Sequence, residues 1–246
     1  MNPAHKQCCT LPPVQAEYTP KGSFGELDGL KTYQTGPTDT GKAILMVYDV
    51  FGFAPQILQG ADLLASAGYR VVMPDFLKGA YAEGSMFDGT PEGDAKKIAY
   101  ITGPGKPDSE GQAVAIAAAL AALKAQGYAS VGTVGFCWGW KAAITAKDVN
   151  QFSAIAGVHP SFVGKDDYEG LDIPVCLLPS GGEDKETVDS LYASLEKKNP
   201  GKNFLKWYPN EAHGWCAARG DLSGGEHTDA YAEAYQLLVN FFNKYV

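Results

Sequence analysis

The chain alternates between short apolar runs and longer stretches in which apolar residues recur at helical spacing. The short runs predict buried strands, and the longer stretches predict helices with one face against a core. Predicted strands cover residues 43–48, 69–73, 131–134, 152–158, 175–178 and 204–208, and predicted helices cover residues 56–67, 109–126, 141–146, 187–198 and 229–245. Strands that alternate with helices favour a mostly parallel central sheet with helices on both faces.

Two segments fall outside this alternation. Residues 1–24 are irregular in pattern and rich in Pro, Gly and Thr, and we expect an N-terminal arm there. Residues 78–108 are polar and interrupted by glycines, which predicts an excursion over one face of the sheet. No long Gly/Ser-rich or Pro-rich linker divides the remainder, so residues 25–246 are expected to form a single α/β domain.

Charge and cysteine content narrow the class of protein. The 246 residues include 20 basic and 28 acidic residues, a net charge of −8, which argues against the basic face that nucleic-acid binding requires. No run of roughly 18 or more apolar residues predicts a membrane span, and residues 1–10 lack the apolar core of a secretory signal. Five cysteines without such a signal indicate free thiols in a reducing compartment, and we expect a cytoplasmic protein.

The segment Gly135-Phe136-Cys137-Trp138-Gly139 lies where a predicted strand gives way to a helix. A nucleophile between two small residues at such a junction is typical of the nucleophile elbow of α/β-hydrolases. The turn strains the central residue and exposes its side chain, and the glycines avoid clashes that a Cβ would cause. The pattern therefore predicts Cys137 as a nucleophile, with a buried structural cysteine as the alternative.

A thiolate nucleophile requires a base, and the base requires a carboxylate that orients it. In α/β-hydrolases these residues follow in the order nucleophile, acid, histidine. His213 follows the last predicted strand and fits the final place. The acid is expected in the loop after the strand at residues 175–178, where we predict Asp184, with Glu183 as the competitor. Asp184 also precedes a predicted helix, so a role as N-cap is the alternative.

These motifs, together with the strand end Tyr48-Asp49-Val50-Phe51-Gly52, resemble the dienelactone hydrolase family over approximately residues 25–246. The resemblance implies an α/β-hydrolase fold. It also implies hydrolysis of an enol-lactone or a similar activated ester, and therefore a small-molecule substrate.

Carried onto this chain, the resemblance implies that Cys137 attacks the carbonyl carbon and that His213 transfers the proton. The oxyanion is expected to be bound by the backbone N–H groups of Trp138 and Val50, the first of which also follows from the elbow itself. Asp49 occupies the place of a carboxylate that contacts the thiol in the free enzyme. Bacterial members carry Glu there, and Asp is one methylene shorter.

A second departure concerns the substrate. Bacterial members hold the substrate carboxylate with two arginines, whereas here Arg219 is suited to one role and Lys78 is the cation nearest to the other. Lysine lacks the planar fork of arginine, so we expect a substrate that differs from a dienelactone or binds its acid group less strictly. The pocket is expected to have an apolar, aromatic lining from Phe51 and Trp215, with Trp138, Tyr81 and Phe87.

The sequence predicts neither a metal site nor a cofactor. His5, Cys8 and Cys9 lie close together, but no second Cys/His pair at ligand spacing completes a site, and no Gly-rich phosphate loop of the G-x-x-x-x-G-K type is present. The stretch that begins Cys8-Cys9 is similar to the fungal branch of the family. Monomer and homodimer both remain open. Two other interpretations are a binding or stress-related protein with weak catalysis and a cysteine peptidase or transferase.

Overall fold

The computed structural model describes residues 17–246, whose central element is an eight-stranded sheet. The sheet order is β1-β2-β4-β3-β5-β6-β7-β8. The strands are β1 (Ser23–Leu27), β2 (Leu30–Thr35), β3 (Lys42–Val47), β4 (Arg70–Pro74), β5 (Ser130–Phe136), β6 (Ala154–Val158), β7 (Val175–Leu178) and β8 (Phe204–Leu205). Strand β2 is antiparallel to β1 and β4, and all strands from β4 to β8 in the sheet order pair in parallel.

Six α-helices and two short 3₁₀ helices connect these strands within the described residues. The α-helices are α1 (Pro55–Ser66), α2 (Pro91–Thr102), α3 (Glu110–Ala125), α4 (Trp138–Ile144), α5 (Lys185–Lys198) and α6 (Glu226–Tyr245), and the 3₁₀ helices are Gly84–Phe87 and Val149–Gln151. Helix α1 packs against α6, and α3 packs against α4. Helices cover the sheet, so β3, β5 and β6 are almost continuously apolar and buried.

The alternation of strands and helices that the sequence predicts is confirmed, but strands β1 and β2 and helix α2 are not predicted. Asp28 and Gly29 both have positive φ and close a hairpin between β1 and β2, so β1 begins inside the range expected of the arm. The Asp-Gly pair is a hairpin signal in the sequence. The excursion at residues 78–108 contains α2, which also has a local signal: the Thr90 side chain accepts the N–H of Gly93, and Pro91 is the first helical residue.

The residues that matter for chemistry lie at one edge of the sheet. The parallel strands β3, β5, β6, β7 and β8 all end there. The loops after them carry Asp49, Cys137, Ser161, Glu183 and His213 in turn. Ligands of open α/β sheets bind beyond the carboxyl ends of the strands, so this edge is where a site is expected. His5, Cys8, Cys9 and most of the predicted arm lie outside the described residues.

Candidate active site

Cys137 occupies a sharp turn between β5 and α4. Its backbone has φ 53° and ψ −113°, a conformation that costs a non-glycine residue about 1–3 kcal/mol. The two glycines of the motif are steric requirements of this turn. A Cβ on Gly135 would lie 2.3 Å from the carbonyl oxygen of Gly139, and one on Gly139 would lie 2.2 Å from that of Val47. The sequence pattern therefore corresponds to a real elbow with Cys137 at its tip.

A chain of polar contacts leads from the Cys137 sulfur to a carboxylate. The Sγ atom lies 3.3 Å from Oγ of Ser161, and that oxygen lies 3.3 Å from Nε2 of His213. On the other side of the ring, Nδ1 of His213 is 2.5 Å from Oε1 of Glu183. The carboxylate can hold the proton on Nδ1, which leaves Nε2 facing the hydroxyl and the sulfur.

The prediction that Asp184 orients His213 is wrong, and Glu183 makes the contact. Asp184 is exposed and accepts the N–H of Thr187 at 2.8 Å as the N-cap of α5, and this hydrogen bonding lowers the pKa of Asp184. The Glu183 side chain is only 5% exposed. Its carboxylate also accepts hydrogen bonds from the backbone N–H and the hydroxyl of Ser180. The turn into α5 points the two neighbouring carboxylates in different directions, which the sequence order does not reveal.

The contacts that His213 makes raise its pKa. Burial of the ring opposes its charge, but hydrogen bonding and charge attraction from Cys137 and Glu183 outweigh burial and raise the pKa of His213 to about 10. The site therefore favours the protonated ring that forms when His213 takes a proton.

A second histidine, His159, lies directly behind the first. Its ring is fully buried, edge-on to His213 with 5.1 Å between ring centroids, and neither of its nitrogens has a hydrogen-bond partner. Burial, with repulsion from His213, holds the pKa of His159 well below its usual value. His159 is therefore neutral and adds no competing charge.

Asp49 does not make the predicted contact with the thiol. Its Oδ1 accepts the N–H of Phe51 at 2.8 Å, and its Oδ2 accepts the N–H of Ala218 at 3.1 Å. Burial raises the pKa of this carboxyl to about 6, although the two N–H groups act against the rise. Asp49 therefore ties the loop after β3 to the loop that carries Arg219.

A cavity of about 250 Å³ opens in front of Cys137. Arg219 lies at its wall, with its guanidinium carbon 5.5 Å from the ring centroid of Phe51 and 4.9 Å from that of Phe87. The remaining lining is mainly apolar and aromatic, and the full set is Asp49, Val50, Phe51, Phe87, Lys97, Tyr100, Ile101, Cys137, Ser161, Phe162, His213, Gly214 and Arg219. Such a lining with a few polar groups is typical of a small-molecule site.

Two of the predicted substrate contacts are wrong. Lys78 is not part of the cavity lining, and the second cation there is Lys97 from α2, whose Nζ lies 2.6 Å from Oδ1 of Asp94. Trp215 is buried against Tyr208 at 4.5 Å between ring centroids instead of facing the cavity.

Two further predicted aromatic contributors do not line this cavity. Trp138 is buried and donates its Nε1–H to the carbonyl of Gly105 at 2.8 Å, while the Tyr81 hydroxyl donates to Asp75 at 2.9 Å. Phe51 and Phe87 do line the cavity. The backbone N–H of Trp138 is the first of α4 and has no acceptor within the helix.

A second, more polar cavity of about 290 Å³ adjoins some of the same residues. Ser161, Phe162 and His213 line both cavities, and the second adds Glu183, Asp184 and Thr187. His213 therefore borders two cavities, one mainly apolar and one more polar. Within residues 17–246, no helix combines the length and hydropathy needed to cross a bilayer, and no group of three or more His, Cys, Asp or Glu side chains is placed to hold a metal ion.

Comparison with known proteins identifies the family and the fold. The model of the dienelactone hydrolase family matches residues 30–246. An uncharacterized AIM2 family protein of Schizosaccharomyces pombe is 33% identical over 92% of both chains, and the human carboxymethylenebutenolidase homolog is 26% identical over 94% of both. The fold is similar to that of a dienelactone hydrolase-like promiscuous phosphotriesterase from metagenomic libraries, with a TM-score of 0.61 and 17% identity over 92% of this chain and 97% of the other.

Proposed function

The chain belongs to the dienelactone hydrolase family, and we propose that it is a cysteine-dependent hydrolase of small lactones or activated esters. The observation that carries the proposal is the chain of contacts from Cys137 through Ser161 and His213 to Glu183, at the wall of an apolar cavity. A reduced Cys137 is needed for this chemistry, in keeping with the cytoplasmic location that the sequence predicts.

In the proposed mechanism the Cys137 thiolate attacks the carbonyl carbon of the substrate. The tetrahedral oxyanion is stabilised by the backbone N–H groups of Trp138 and Val50, which requires no particular side chain at either position. Imidazolium His213 then protonates the departing alkoxide, leaving a thioester on Cys137. Glu183 keeps the Nδ1 proton in place and stabilises the charge of the ring.

Hydrolysis of the thioester needs water beside His213. The second, polar cavity also borders His213 and shares only Ser161, Phe162 and His213 with the apolar one, so it offers water a separate route to the base. His213, now neutral, removes a proton from that water while the water attacks the thioester carbonyl, and the thiolate is regenerated. This supports hydrolysis over transfer to a second bulky acceptor.

The cavity supports a small, largely apolar substrate that carries a carboxylate. Arg219 and Lys97 are both present at a wall that is otherwise mainly apolar, so an anion there would meet two cations. Arg219 offers a planar fork to such a group, and Lys97 offers a point charge after it exchanges Asp94 for the substrate. Similarity to the human carboxymethylenebutenolidase homolog favours a lactone bearing an acid group.

The test is loss of turnover in Cys137→Ala. We expect this variant to fold and to lose hydrolysis of p-nitrophenyl acetate almost completely, because no other group can form the thioester. Cys176→Ala is the matched control, since it removes a fully buried thiol in β7 and is expected to retain turnover. Undiminished turnover in folded Cys137→Ala protein would refute the proposal.

A further inference from the structure

Ser161 lies beside both the sulfur and the base. Its Oγ atom is 3.3 Å from Sγ of Cys137 and 3.3 Å from Nε2 of His213, so a single hydroxyl contacts both reacting groups. Its backbone N–H also donates to the carbonyl of Cys137 at 3.0 Å. The nucleophile and this serine are therefore fixed to each other through the main chain as well as through their side chains.

The loop that carries Ser161 is held in a strained conformation. His159 has φ 37° and Phe162 has φ 57°, and each non-glycine residue in this region costs about 1–3 kcal/mol. Such strain persists only where surrounding contacts enforce it. It indicates that the loop is built to place Ser161 at this position, because an unstrained loop would not require two such residues.

The contacts that enforce the loop come from the nucleophile's own helix. Nζ of Lys141 in α4 lies 2.6 Å from Oδ1 of Asp167, and both side chains are largely buried. Oδ2 of the same Asp167 accepts the N–H of Gly164 at 2.9 Å. A largely buried ion pair with an added hydrogen bond holds its geometry better than an exposed pair does. The loop after β6 is thus fixed to α4, which keeps Ser161 beside Cys137.

We propose that Ser161 is a further catalytic residue that relays the proton between Cys137 and His213, an inference that rests on the proposed cysteine mechanism. In the forward step the Cys137 S–H bond breaks and its proton passes to Oγ of Ser161. The Ser161 O–H bond breaks in concert, and that proton forms the N–H bond at Nε2 of His213. The products are a thiolate, an unchanged hydroxyl and an imidazolium, so protons and charge balance with no other reactant.

The experiment measures Cys137 reactivity without any ester substrate. Alkylation by iodoacetamide is followed against pH in the wild type, Ser161→Ala and Ser161→Thr, with the modified peptide identified by mass spectrometry. We expect Ser161→Ala to slow alkylation of Cys137 at neutral pH about tenfold, since the thiolate then lacks the hydrogen bond from the Ser161 hydroxyl. Ser161→Thr retains the hydroxyl and is expected to remain within about twofold of the wild type.

A second readout reports the number of protons in motion. The rate of ester hydrolysis is measured against the fraction of D₂O in the solvent. We expect a curved plot for the wild type and Ser161→Thr, and a straight line for Ser161→Ala. Alkylation that is equal or faster in Ser161→Ala would overturn the relay, because the hydroxyl would then be a spacer between sulfur and imidazole. A Cys137 that is unreactive in the wild type would instead overturn the proposed function itself, and the relay with it.

Discussion

Oε1 of Glu183 lies 2.5 Å from Nδ1 of His213, whereas the next residue along the chain, Asp184, turns to the start of α5. The two carboxylates therefore have different roles although no residue separates them. One is buried and holds the ring of the base, and the other is exposed and caps a helix. Paired substitutions can separate the two roles.

We expect Glu183→Gln to lower kcat by about 10²–10⁴-fold with little change in fold, because the amide keeps the shape but removes the charge that holds the Nδ1 proton. Asp184→Ala is expected to retain nearly full activity and to lose about 0.5–2 kcal/mol in the free energy of unfolding through loss of the cap. Ester hydrolysis measures kcat, and urea denaturation measures the free energy of unfolding. The reverse pattern, in which Asp184→Ala is the inactive variant, would return the acid role to Asp184.

The elbow predicts a severe effect of one methyl group. A Cβ at residue 139 would lie 2.2 Å from the carbonyl of Val47 and 2.7 Å from that of Tyr48, both of them backbone atoms. Gly139→Ala is therefore expected to cost about 3 kcal/mol or more, a fall in Tm of about 6–12 °C in a thermal melt. Gly111→Ala in α3 is the matched control: its Cβ meets only the Ser109 hydroxyl at 4.0 Å, and the variant is expected to be slightly more stable. Equal melts for the two variants would contradict the steric account.

Substrate charge provides a test of the two cavity cations. For an ester with a carboxylate on its acyl part, Lys97→Ala and Arg219→Ala are each expected to lower kcat/KM about tenfold or more, the value of a charge-assisted hydrogen bond. For a neutral ester of the same size, we expect a much smaller loss. Lys78→Ala is the control. It is expected to leave kcat/KM unchanged for both esters, because Lys78 does not line the cavity. Equal losses on the two esters would remove these residues from carboxylate binding.

His159 makes stability depend on pH in a specific direction. Its pKa in the folded protein is well below 6.5, so the unfolded chain takes up a proton that the folded chain does not, and stability is lost as pH falls below about 6.5. The slope from this group reaches at most about 1.4 kcal/mol per pH unit. We expect His159→Asn, whose side chain tolerates positive φ, to flatten the curve of unfolding free energy between about pH 6 and pH 5.

The control for that prediction is the exposed His227. Hydrogen bonding to Glu211 raises the pKa of His227. The stabilisation of the fold by this ion pair is therefore fully present below about pH 6.5 and is lost only as pH rises through the pKa of the folded state. His227→Asn should leave the slope between about pH 6 and pH 5 as it is in the wild type. A His159→Asn slope equal to that of the wild type would show that the buried ring takes up its proton in the folded state.

Sequence reasoning succeeded where the determinant is local. The elbow around Cys137 needs two glycines at fixed offsets, and a strand before it and a helix after it, all of which lie within one short segment. Glu183 and Asp184 could not be separated in this way, because the backbone path of the turn decides which carboxylate reaches His213. Trp215 was misassigned because an aromatic residue beside a catalytic loop can equally belong to the core.

Lys97 and Ser161 show a second limit. Lys97 reaches the cavity from α2, a helix whose start signal at Thr90 and Pro91 was readable, but its packing over the site depends on contacts distant in sequence. Ser161 follows His159 and Pro160 at the end of β6, where a polar residue beyond a parallel strand is a weak signal. Its role depends on its proximity to Cys137 and His213, which are distant in sequence. Only the folded structure shows that proximity.

The hydrogen bond from Trp138 to the carbonyl of Gly105 anchors the end of the excursion beside the nucleophile elbow. The residues before this anchor can be varied, whereas the elbow must be preserved. Residues 79–104, between β4 and that bond, supply Phe87, Lys97, Tyr100 and Ile101 to the cavity. Substitutions confined to residues 79–104 should therefore change which esters the protein selects. They should leave the reactivity of the Cys137 sulfur unchanged. The segment is a starting point for directed evolution of specificity.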